Sequence, residues 1–317
     1  MKKFVIYTNP YKDVDEAVTG RVKNYLISHG CEICDNGTAD AMTLVLGGDG
    51  TMLQAIREIS SDGPFIGINL GNLGFLTEIE KDNIEPSLEQ IINGDYVIEK
   101  RMLLEGRVIA GAAKHTDAAA IAGVGNPKAT SIAGAEPDAA VIADRGADNE
   151  AAKGECDSDE AADRGKGIWA LNDVILTRCG RLKILRFEIY VNGRLLHEYL
   201  ADGIIVSTPT GSTGYNLSAG GPLASPASEV IMLTPISPHS LNQRSIILSG
   251  EDVVEIRIPM SKDNHIQEME VSFDGNNGQT VHTGDSILVS RSSRYISIAR
   301  LGKDSFLDVL NRKMSEK

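Results

Sequence analysis

Residues 42–51 read MTLVLGGDGT, and this stretch decides the fold. The apolar run 42–46 ends in a glycine turn, and apolar residues at helical spacing follow, which predicts a buried strand, a tight turn and a helix start. Glycines expose backbone N–H groups, and the positive end of a helix attracts phosphate. The turn also holds one carboxylate, Asp49, which would repel phosphate. We therefore interpret Asp49 as handling a metal or a proton; the alternative is a simple helix cap.

Residues 3–100 alternate between strand and helix patterns. Strands are predicted at 3–8, 43–46 and 64–69, with a short one after the first helix, and helices at 14–29, 52–60 and 84–93. This alternation predicts an α/β domain of the Rossmann-like type, with a parallel sheet and helices on both faces. Ligands of such sheets bind beyond the carboxyl ends of strands. The glycine turn and the segment 69–76, NLGNLGFL, both lie at such ends.

Beyond residue 100 the apolar pattern changes to a period of two. Short strand-like segments occur at 108–109, 169–177, 185–191, 203–207, 245–248, 253–258, 268–273, 286–290 and 295–300. Many short strands separated by turn residues predict a C-terminal all-β domain. An amphipathic pattern at 305–313 predicts a final helix. We predict domains at 1–100 and 101–300, and a C-terminal helix within 301–317 that packs back on the first domain.

The segment 110–167 fits neither pattern. It is rich in Ala, Gly and Asp and has no Leu, Phe, Tyr, Trp or Met. Such a composition cannot bury enough apolar surface to offset its ordering entropy, so we predict a flexible insertion in a hairpin loop. Its acidic excess could extend into solvent or screen an anionic substrate, and we favour the solvated loop.

Composition excludes several classes of function. The net charge of −13 and the pI near 5.0 argue against nonspecific binding to nucleic acid or anionic membranes. No apolar run is long enough for a signal peptide or a membrane span, so we expect a cytoplasmic protein. Cys31 and Cys34 have CxxC spacing, but residues three apart on a strand face opposite ways, so no metal site is predicted there.

Two further stretches carry candidate ligand contacts. Residues 202–222, DGIIVSTPTGSTGYNLSAGGP, join a strand to a loop of small hydroxyl and glycine residues, which favours binding of a polar ligand. In ALNDVI, Asn172 and Asp173 interrupt an apolar strand, so one of them must face inward. Two alternatives remain open: a bulge satisfied by backbone groups, or a ribose-type ligand bound by amide and carboxylate.

Taken together, these motifs resemble those of the NAD kinase family. GGDGT, GINLGNLGFLTE, ALNDVIL, the long STPTGST segment, LTPISPHSL and VSFDG stand in family order. The resemblance implies transfer of the γ-phosphoryl group of ATP, or of another donor, to the 2′-hydroxyl of the adenosine ribose of NAD, giving NADP. It also implies Mg²⁺ or another divalent cation with ATP. We expect a homo-oligomer, dimer or tetramer, with the site between the domains and a neighbouring subunit close by.

The resemblance assigns the site position by position. It makes Asp49 the catalytic residue, Phe75 an aromatic wall for adenine, and Asp202 a contact for the nicotinamide end. The implied NAD and ATP contacts are Asp49, Gly50, Phe75, Asn172, Asp173, Lys183, Asp202, Thr213, Gly214, Tyr215, Asn216, Ser218 and Asn276. No residue is predicted to hold a resident metal ion.

Some positions depart from the family pattern, and two other functions stay open. Asp173 is shorter than the more frequent glutamate, Gly214 replaces a usual alanine, and Leu200 stands where many members have arginine. The GGDGT turn also occurs in lipid kinases of the diacylglycerol type, although the acidic charge and the polar loop argue against an apolar acceptor. The other alternative is a catalytically silent dinucleotide-binding module.

Overall fold

The computed structural model describes residues 1–71, 74–111, 167–180, 184–240, 243–260, 266–302 and 306–315. Residues 112–166, which make up most of the predicted insertion, lie outside the described residues, as does Lys183.

The N-terminal part is a parallel sheet with helices against it. Its elements are β1 (Lys3–Thr8), α1 (Ala17–Ser28), β2 (Glu32–Ile33), β3 (Met42–Gly47), α2 (Asp49–Glu58), β4 (Phe65–Asn69), β5 (Thr77–Glu80) and α3 (Ile84–Asn93). The strand order is β4-β3-β1-β2, with β5 beside β4, and every pairing is parallel. All residues of β3 are buried, which agrees with its largely apolar sequence. The predicted α/β domain is confirmed.

Two helices begin at residues other than those predicted. The first was expected from residue 14 but begins at Ala17, because Asp13 stays outside it and accepts hydrogen bonds from the N–H groups of Val18 and Thr19. The second was expected from residue 52 but begins at Asp49, so most of the glycine turn is already helical. The consequence is that Asp49 stands at the N-terminus of α2.

The C-terminal part is rich in strands, as predicted, and ends in a helix. Its elements are β6 (Val97–Ile109), β7 (Ile168–Ala170), β8 (Asp173–Arg178), β9 (Leu185–Val191), β10 (Arg194–Ala201), β11 (Gly203–Ser207), α4 (Tyr215–Ser218), β12 (Val230–Ile236), β13 (Ile246–Ser249), β14 (Val254–Arg257), β15 (Glu268–Phe273), β16 (Asn276–His282), β17 (Ser286–Arg300) and α5 (Phe306–Ser315). The two segments predicted at 286–290 and 295–300 form one long strand, β17.

The described strands make two sheets. One is antiparallel, with the order β13-β12-β11-β8-β15-β16. The other has the order β10-β9-β14-β17-β4-β3-β1-β2, and in it β17 pairs in parallel with β4 through Ile298 and Phe65. One sheet therefore runs from the parallel strands into the β-rich part. The division into domains at residues 100 and 300 stays a prediction.

The last helix, α5, contacts residues of the N-terminal part. Arg312 Nη1 lies 3.4 Å from Glu80 Oε1, and the rings of Phe306 and Phe75 are 6.2 Å apart. None of the helices described is long and apolar enough to cross a membrane.

Candidate active site

The Asp49 carboxylate joins two loops at the carboxyl ends of neighbouring strands. Its Oδ2 accepts a hydrogen bond from the Phe75 N–H at 2.8 Å, and its Oδ1 accepts one from the Leu76 N–H at 3.0 Å. The N-cap position of α2 belongs to Gly48, and no side chain caps it. Asp49 is therefore half-buried and bound to the segment that precedes β5, rather than serving as the cap of its own helix.

Gly74 makes this arrangement possible. A Cβ atom on Gly74 would lie 2.0 Å from Asp49 Oδ1, so any other residue would displace the carboxylate. The same point lies 2.7 Å from Thr77 Oγ1, a buried hydroxyl with no hydrogen-bond partner in the described part of the chain. Thr77 was not among the predicted site residues, although it belongs to the segment GINLGNLGFLTE. An unpaired buried hydroxyl beside the carboxylate is a polar group available to a ligand.

Phe75, the predicted adenine wall, is partly covered by α5. Lys313 Nζ lies 4.6 Å from the centre of its ring, and Phe306 packs against it from the same helix. The ring remains half-buried. A planar ligand that stacks on Phe75 would share the ring with these two side chains.

The pair Asn172 and Asp173 lies at a break between β7 and β8. The prediction of one strand over 169–177 is wrong, because the backbone N–H groups here donate hydrogen bonds to a carboxylate instead of to a neighbouring strand. Asp274 accepts hydrogen bonds from the N–H groups of Leu171 at 2.9 Å, Asn172 at 2.6 Å and Asp173 at 3.1 Å. The main-chain N–H groups of this turn are therefore satisfied by the Asp274 side chain.

The amide oxygen of Asn172 in the same turn is not satisfied by the backbone. Asn172 Oδ1 is buried and has no hydrogen-bond partner among the residues described. Its Nδ2 lies 3.7 Å from the point where a Cβ of Gly214 would stand, so the amide faces the loop after β11. A buried amide oxygen without a partner costs free energy unless something outside the chain pairs with it.

Asp173 is buried beside a second carboxylate. Only 4% of it is exposed, and burial together with the nearby charge of Asp274 raises its pKa to about 7. The Asp173 carboxyl group therefore titrates near neutral pH. At that pH it can either donate or accept a hydrogen bond.

The first part of the STPTGST loop, residues 207–212, holds this turn in place. The Thr208 hydroxyl donates to Leu171 O at 2.5 Å, and the Thr208 N–H donates to Asn172 O at 2.8 Å. Gly211 lies so close to Asn172 O that a Cβ would be 2.1 Å away. Several hydroxyls expected to face a ligand are thus used inside the protein, including that of Ser212, which donates to Pro209 O.

The second part of the loop, residues 213–218, is partly or fully exposed, except for Asn216. Tyr215 and Ser218 are exposed, and Thr213 and Gly214 are partly exposed. Asn216 is fully buried, donates from Nδ2 to Pro222 O at 3.0 Å and accepts from the Thr234 hydroxyl at 2.7 Å. Its amide shapes the loop from the inside.

Asp202 lies away from this group. Asp173 pairs with Ser207 at one end of β11 and Thr177 pairs with Gly203 at the other, so Asp202 stands roughly 15 Å from the Asn172 turn. There Asp202 Oδ1 is 3.3 Å from Arg178 Nε and 3.7 Å from His239 Nε2. The structure does not bring Asp202 together with Asn172 and Asp173.

A cleft of about 690 Å³ separates α2 from the β-rich part. Gly50 lines it on the α2 side and Asn276 on the other, together with Arg57, Trp169 and Asp274. The structure thus brings the predicted residues Gly50 and Asn276 to one cleft. Arg57 and Asp274 were missed in the sequence, where Asp274 is marked only by the DG of VSFDG and nothing marks Arg57.

The site offers a metal ion few ligands. Across the described ranges, no group of three or more His, Cys, Asp or Glu is placed to hold a metal. Mg²⁺ in phosphoryl-transfer sites usually keeps several waters and binds one or two carboxylates plus the substrate phosphates. The single carboxylate of Asp49 fits an ion that arrives with the substrate better than a resident one.

An anion-attracting turn that contains a carboxylate suits phosphoryl transfer to a hydroxyl group, which indicates the class of kinases. The family follows from comparison with known proteins. The family model of the ATP-NAD kinase N-terminal domain matches residues 5–96, and that of the ATP-NAD kinase C-terminal domain matches residues 171–301. The chain belongs to the NAD kinase family.

Relatives of similar length support this membership. The NAD kinase of Lachnospira eligens is 35% identical over 343 residues, covering 99% of this chain and 100% of the relative. The NAD kinase of Caldanaerobacter subterraneus subsp. tengcongensis is 35% identical over 337 residues, covering 100% of both.

Two solved structures share the fold. Yeast NADH kinase complexed with NADH matches with a TM-score of 0.72 at 21% identity, covering 100% of this chain and 88% of the yeast chain. An NAD kinase from Archaeoglobus fulgidus in complex with ATP matches with a TM-score of 0.67 at 20% identity, covering 100% of both chains. At these identities the likeness concerns the fold.

Proposed function

We propose that the protein phosphorylates the 2′-hydroxyl of the adenosine ribose of NAD with ATP, giving NADP, and that Asp49 accepts the hydroxyl proton. The observation that carries this proposal is the fixed position of the Asp49 carboxylate, which is held by the N–H groups of Phe75 and Leu76 at the N-terminus of α2. Each oxygen accepts one such bond and keeps a lone pair for a ribose hydroxyl. The two solved structures that share the fold are complexes with NADH and with ATP, which supports the same substrates here.

In this mechanism the protein mainly positions the reacting groups and stabilises the charge that develops on the phosphates. The ribose oxygen attacks the γ-phosphorus, the bond to the bridging oxygen breaks, and ADP leaves. A loose transition state asks little of the base until late, so Asp49 both orients the hydroxyl and takes its proton. The backbone N–H groups at the start of α2 stabilise the phosphate charge. A divalent cation such as Mg²⁺ supplies further charge neutralisation when it is bound with ATP.

We assign the adenosine half of NAD to the group around Asn172. The unpaired Asn172 amide oxygen would accept a hydrogen bond from a hydroxyl or amino group, and Asp173 would pair with a second one. Thr213, Gly214, Tyr215 and Ser218 would line the same pocket, with Asn216 shaping the loop from inside. Asp202 would meet the far, nicotinamide end, which agrees with its separation along β11.

Other predictions stay as they were made from the sequence. A homo-oligomer, dimer or tetramer, and a cytoplasmic location are expected from the family resemblance and the composition. Phe75, Gly50, Lys183 and Asn276 are kept as nucleotide contacts on the same basis.

A direct assay tests the proposal. Purified protein is incubated with ATP, Mg²⁺ and NAD, and NADP is measured with an NADP-specific dehydrogenase. We expect NADP to form with the wild type and to form roughly two to four orders of magnitude more slowly with Asp49→Asn. Phosphorylation of diacylglycerol in place of NAD would favour the lipid-kinase alternative, and tight NAD binding without NADP would favour the silent module.

A further inference from the structure

Lys12 lies on a turn that is fixed to the phosphate-attracting loop. The turn follows β1, the strand beside β3, so it stands at the same carboxyl edge of the sheet as Asp49. The N–H of Asn9 donates to Leu46 O at 3.0 Å, its Nδ2 donates to the Thr51 hydroxyl at 3.1 Å, and the Lys12 N–H donates to Asn9 O at 3.0 Å. The Thr51 oxygen also accepts from the Gly48 N–H at 3.3 Å. The backbone of Lys12 is thus tied to the loop that precedes α2.

The ammonium group of Lys12 lies between two glycine turns. A Cβ atom on Gly48 would be 2.9 Å from Lys12 Nζ, and one on Gly71 would be 3.3 Å from it. These glycines follow β3 and β4. Because neither turn carries a side chain at these positions, the ammonium can come close to both backbones.

Lys12 is an exposed residue, and its ammonium lies beside the turn that precedes α2. The N-terminus of α2 carries partial positive charge, so a cation there is repelled. Among the described residues, no carboxylate forms an ion pair with Lys12. Both oxygens of Asp49 bind the amides of residues 75 and 76, and the Asp13 carboxylate is engaged by Val18 and Thr19 of α1. A negative ligand between the ammonium and the helix end would balance both positive groups.

We propose that Lys12 binds the terminal phosphates of ATP and is a further catalytic residue of this site. This inference rests on the proposed function, because it requires the phosphoryl donor to lie at the turn that precedes α2. As the bond between the γ-phosphorus and the bridging oxygen breaks, the ribose oxygen bonds to phosphorus, its proton passes to Asp49, and negative charge builds up on the departing ADP. The ammonium of Lys12 stabilises that charge through charge-assisted hydrogen bonds.

The test compares Lys12→Met, which removes the charge, with Lys12→Arg, which keeps it. The matched control is Lys3→Met, because Lys3 is an exposed lysine at the opposite end of β1. For each protein, kcat and the KM values for ATP and NAD are measured. The rise in Tm on adding inorganic tripolyphosphate, or NAD, is measured in parallel without turnover.

We expect Lys12→Met to raise the KM for ATP by roughly tenfold or more, which is the usual effect of losing one charge-assisted hydrogen bond. We expect kcat to fall as well, because the charge that Lys12 stabilises grows in the transition state. We also expect it to lose the tripolyphosphate-induced rise in Tm. The KM for NAD and the NAD-induced rise should stay within twofold of the wild type, and Lys12→Arg should retain most of the ATP affinity. Unchanged ATP parameters in Lys12→Met, or an equal loss for ATP and NAD, would overturn the inference. A wild type that forms no NADP would instead refute the proposed function.

Discussion

Arg57 Nη2 lies 3.2 Å from Asp274 Oδ2, and this ion pair joins the helix that starts at Asp49 to the turn that carries Asn172 and Asp173. Arg57 also donates to the carbonyl oxygen of Phe273. The Asp274 side chain is 1% exposed, and its carboxylate accepts three backbone hydrogen bonds from that turn. Asp274 therefore connects α2 to the Asn172 turn, and Arg57 and Asp274 both line the cleft between α2 and the β-rich part.

Replacing Arg57 should therefore lower the free energy of unfolding. In Arg57→Met the Asp274 carboxylate stays buried without its cation, and breaking such a pair usually costs about 3 to 5 kcal/mol. The control is Arg21→Met, because Arg21 and Glu85 form an exposed pair that should contribute less than about 1 kcal/mol. Free energies of unfolding from urea titrations check the difference. Equal losses in the two variants would mean that the Arg57 pair does not support the cleft.

Asp49→Asn should separate the chemistry at Asp49 from its structural contacts. An amide cannot take the ribose proton, so we expect kcat to fall by roughly two to four orders of magnitude, the usual effect of a positioned base. Asparagine has one oxygen for the two N–H groups of residues 75 and 76, so stability should fall by only about 1 to 2 kcal/mol. Steady-state kinetics and urea titration give both values. Turnover close to that of the wild type would remove Asp49 from the reaction.

Gly74→Ala should disable the site although every reacting group keeps its chemical identity. Its Cβ would stand 2.0 Å from Asp49 Oδ1, so the carboxylate has to move, and we expect kcat to fall at least tenfold. Gly20→Ala is the matched control: Gly20 lies within α1, and a Cβ there meets nothing within 4 Å. That change should leave kcat unaltered and add about 0.5 to 1 kcal/mol of stability. A full loss of activity in both variants would point to a general effect of glycine replacement.

How far the sequence predicts the structure depends on how local the signal is. The bounds of β9 (Leu185–Val191), β11 (Gly203–Ser207) and α3 (Ile84–Asn93) agree with the prediction, because their apolar periodicity depends on neighbouring residues alone. The strand β10 was missed because most of its residues are exposed, which leaves no alternating pattern to detect. The Asn-Gly turn before it, at residues 192–193 with positive φ, is the signal that would have found it.

The sequence predicts only those candidate site residues that belong to short motifs. Asp49, Asn172 and Asp173 follow from short stretches, whereas their partners come from distant parts of the chain. Arg57 meets Phe273 across 216 residues, and Asp49 reaches the Leu76 N–H across 27. No local pattern encodes such contacts, so the roles of Arg57, Gly74 and Asp274 emerge only from the folded chain.

Asp173→Asn should change how stability depends on pH. The raised pKa of Asp173, about 7, means that the folded protein keeps a proton which the unfolded chain releases near pH 4. The stabilising contribution of Asp173 is thus fully present below about pH 4 and is lost as pH rises through about 7. Asparagine cannot titrate, so the variant should gain stability relative to the wild type between pH 4 and 7, by up to about 4 kcal/mol, and the difference should then level off. Urea titrations at pH 5, 6, 7 and 8 measure this difference, and titrating groups that do not interact with Asp173 cancel because both proteins share them. Parallel pH profiles would show that burial and Asp274 do not hold the proton on Asp173.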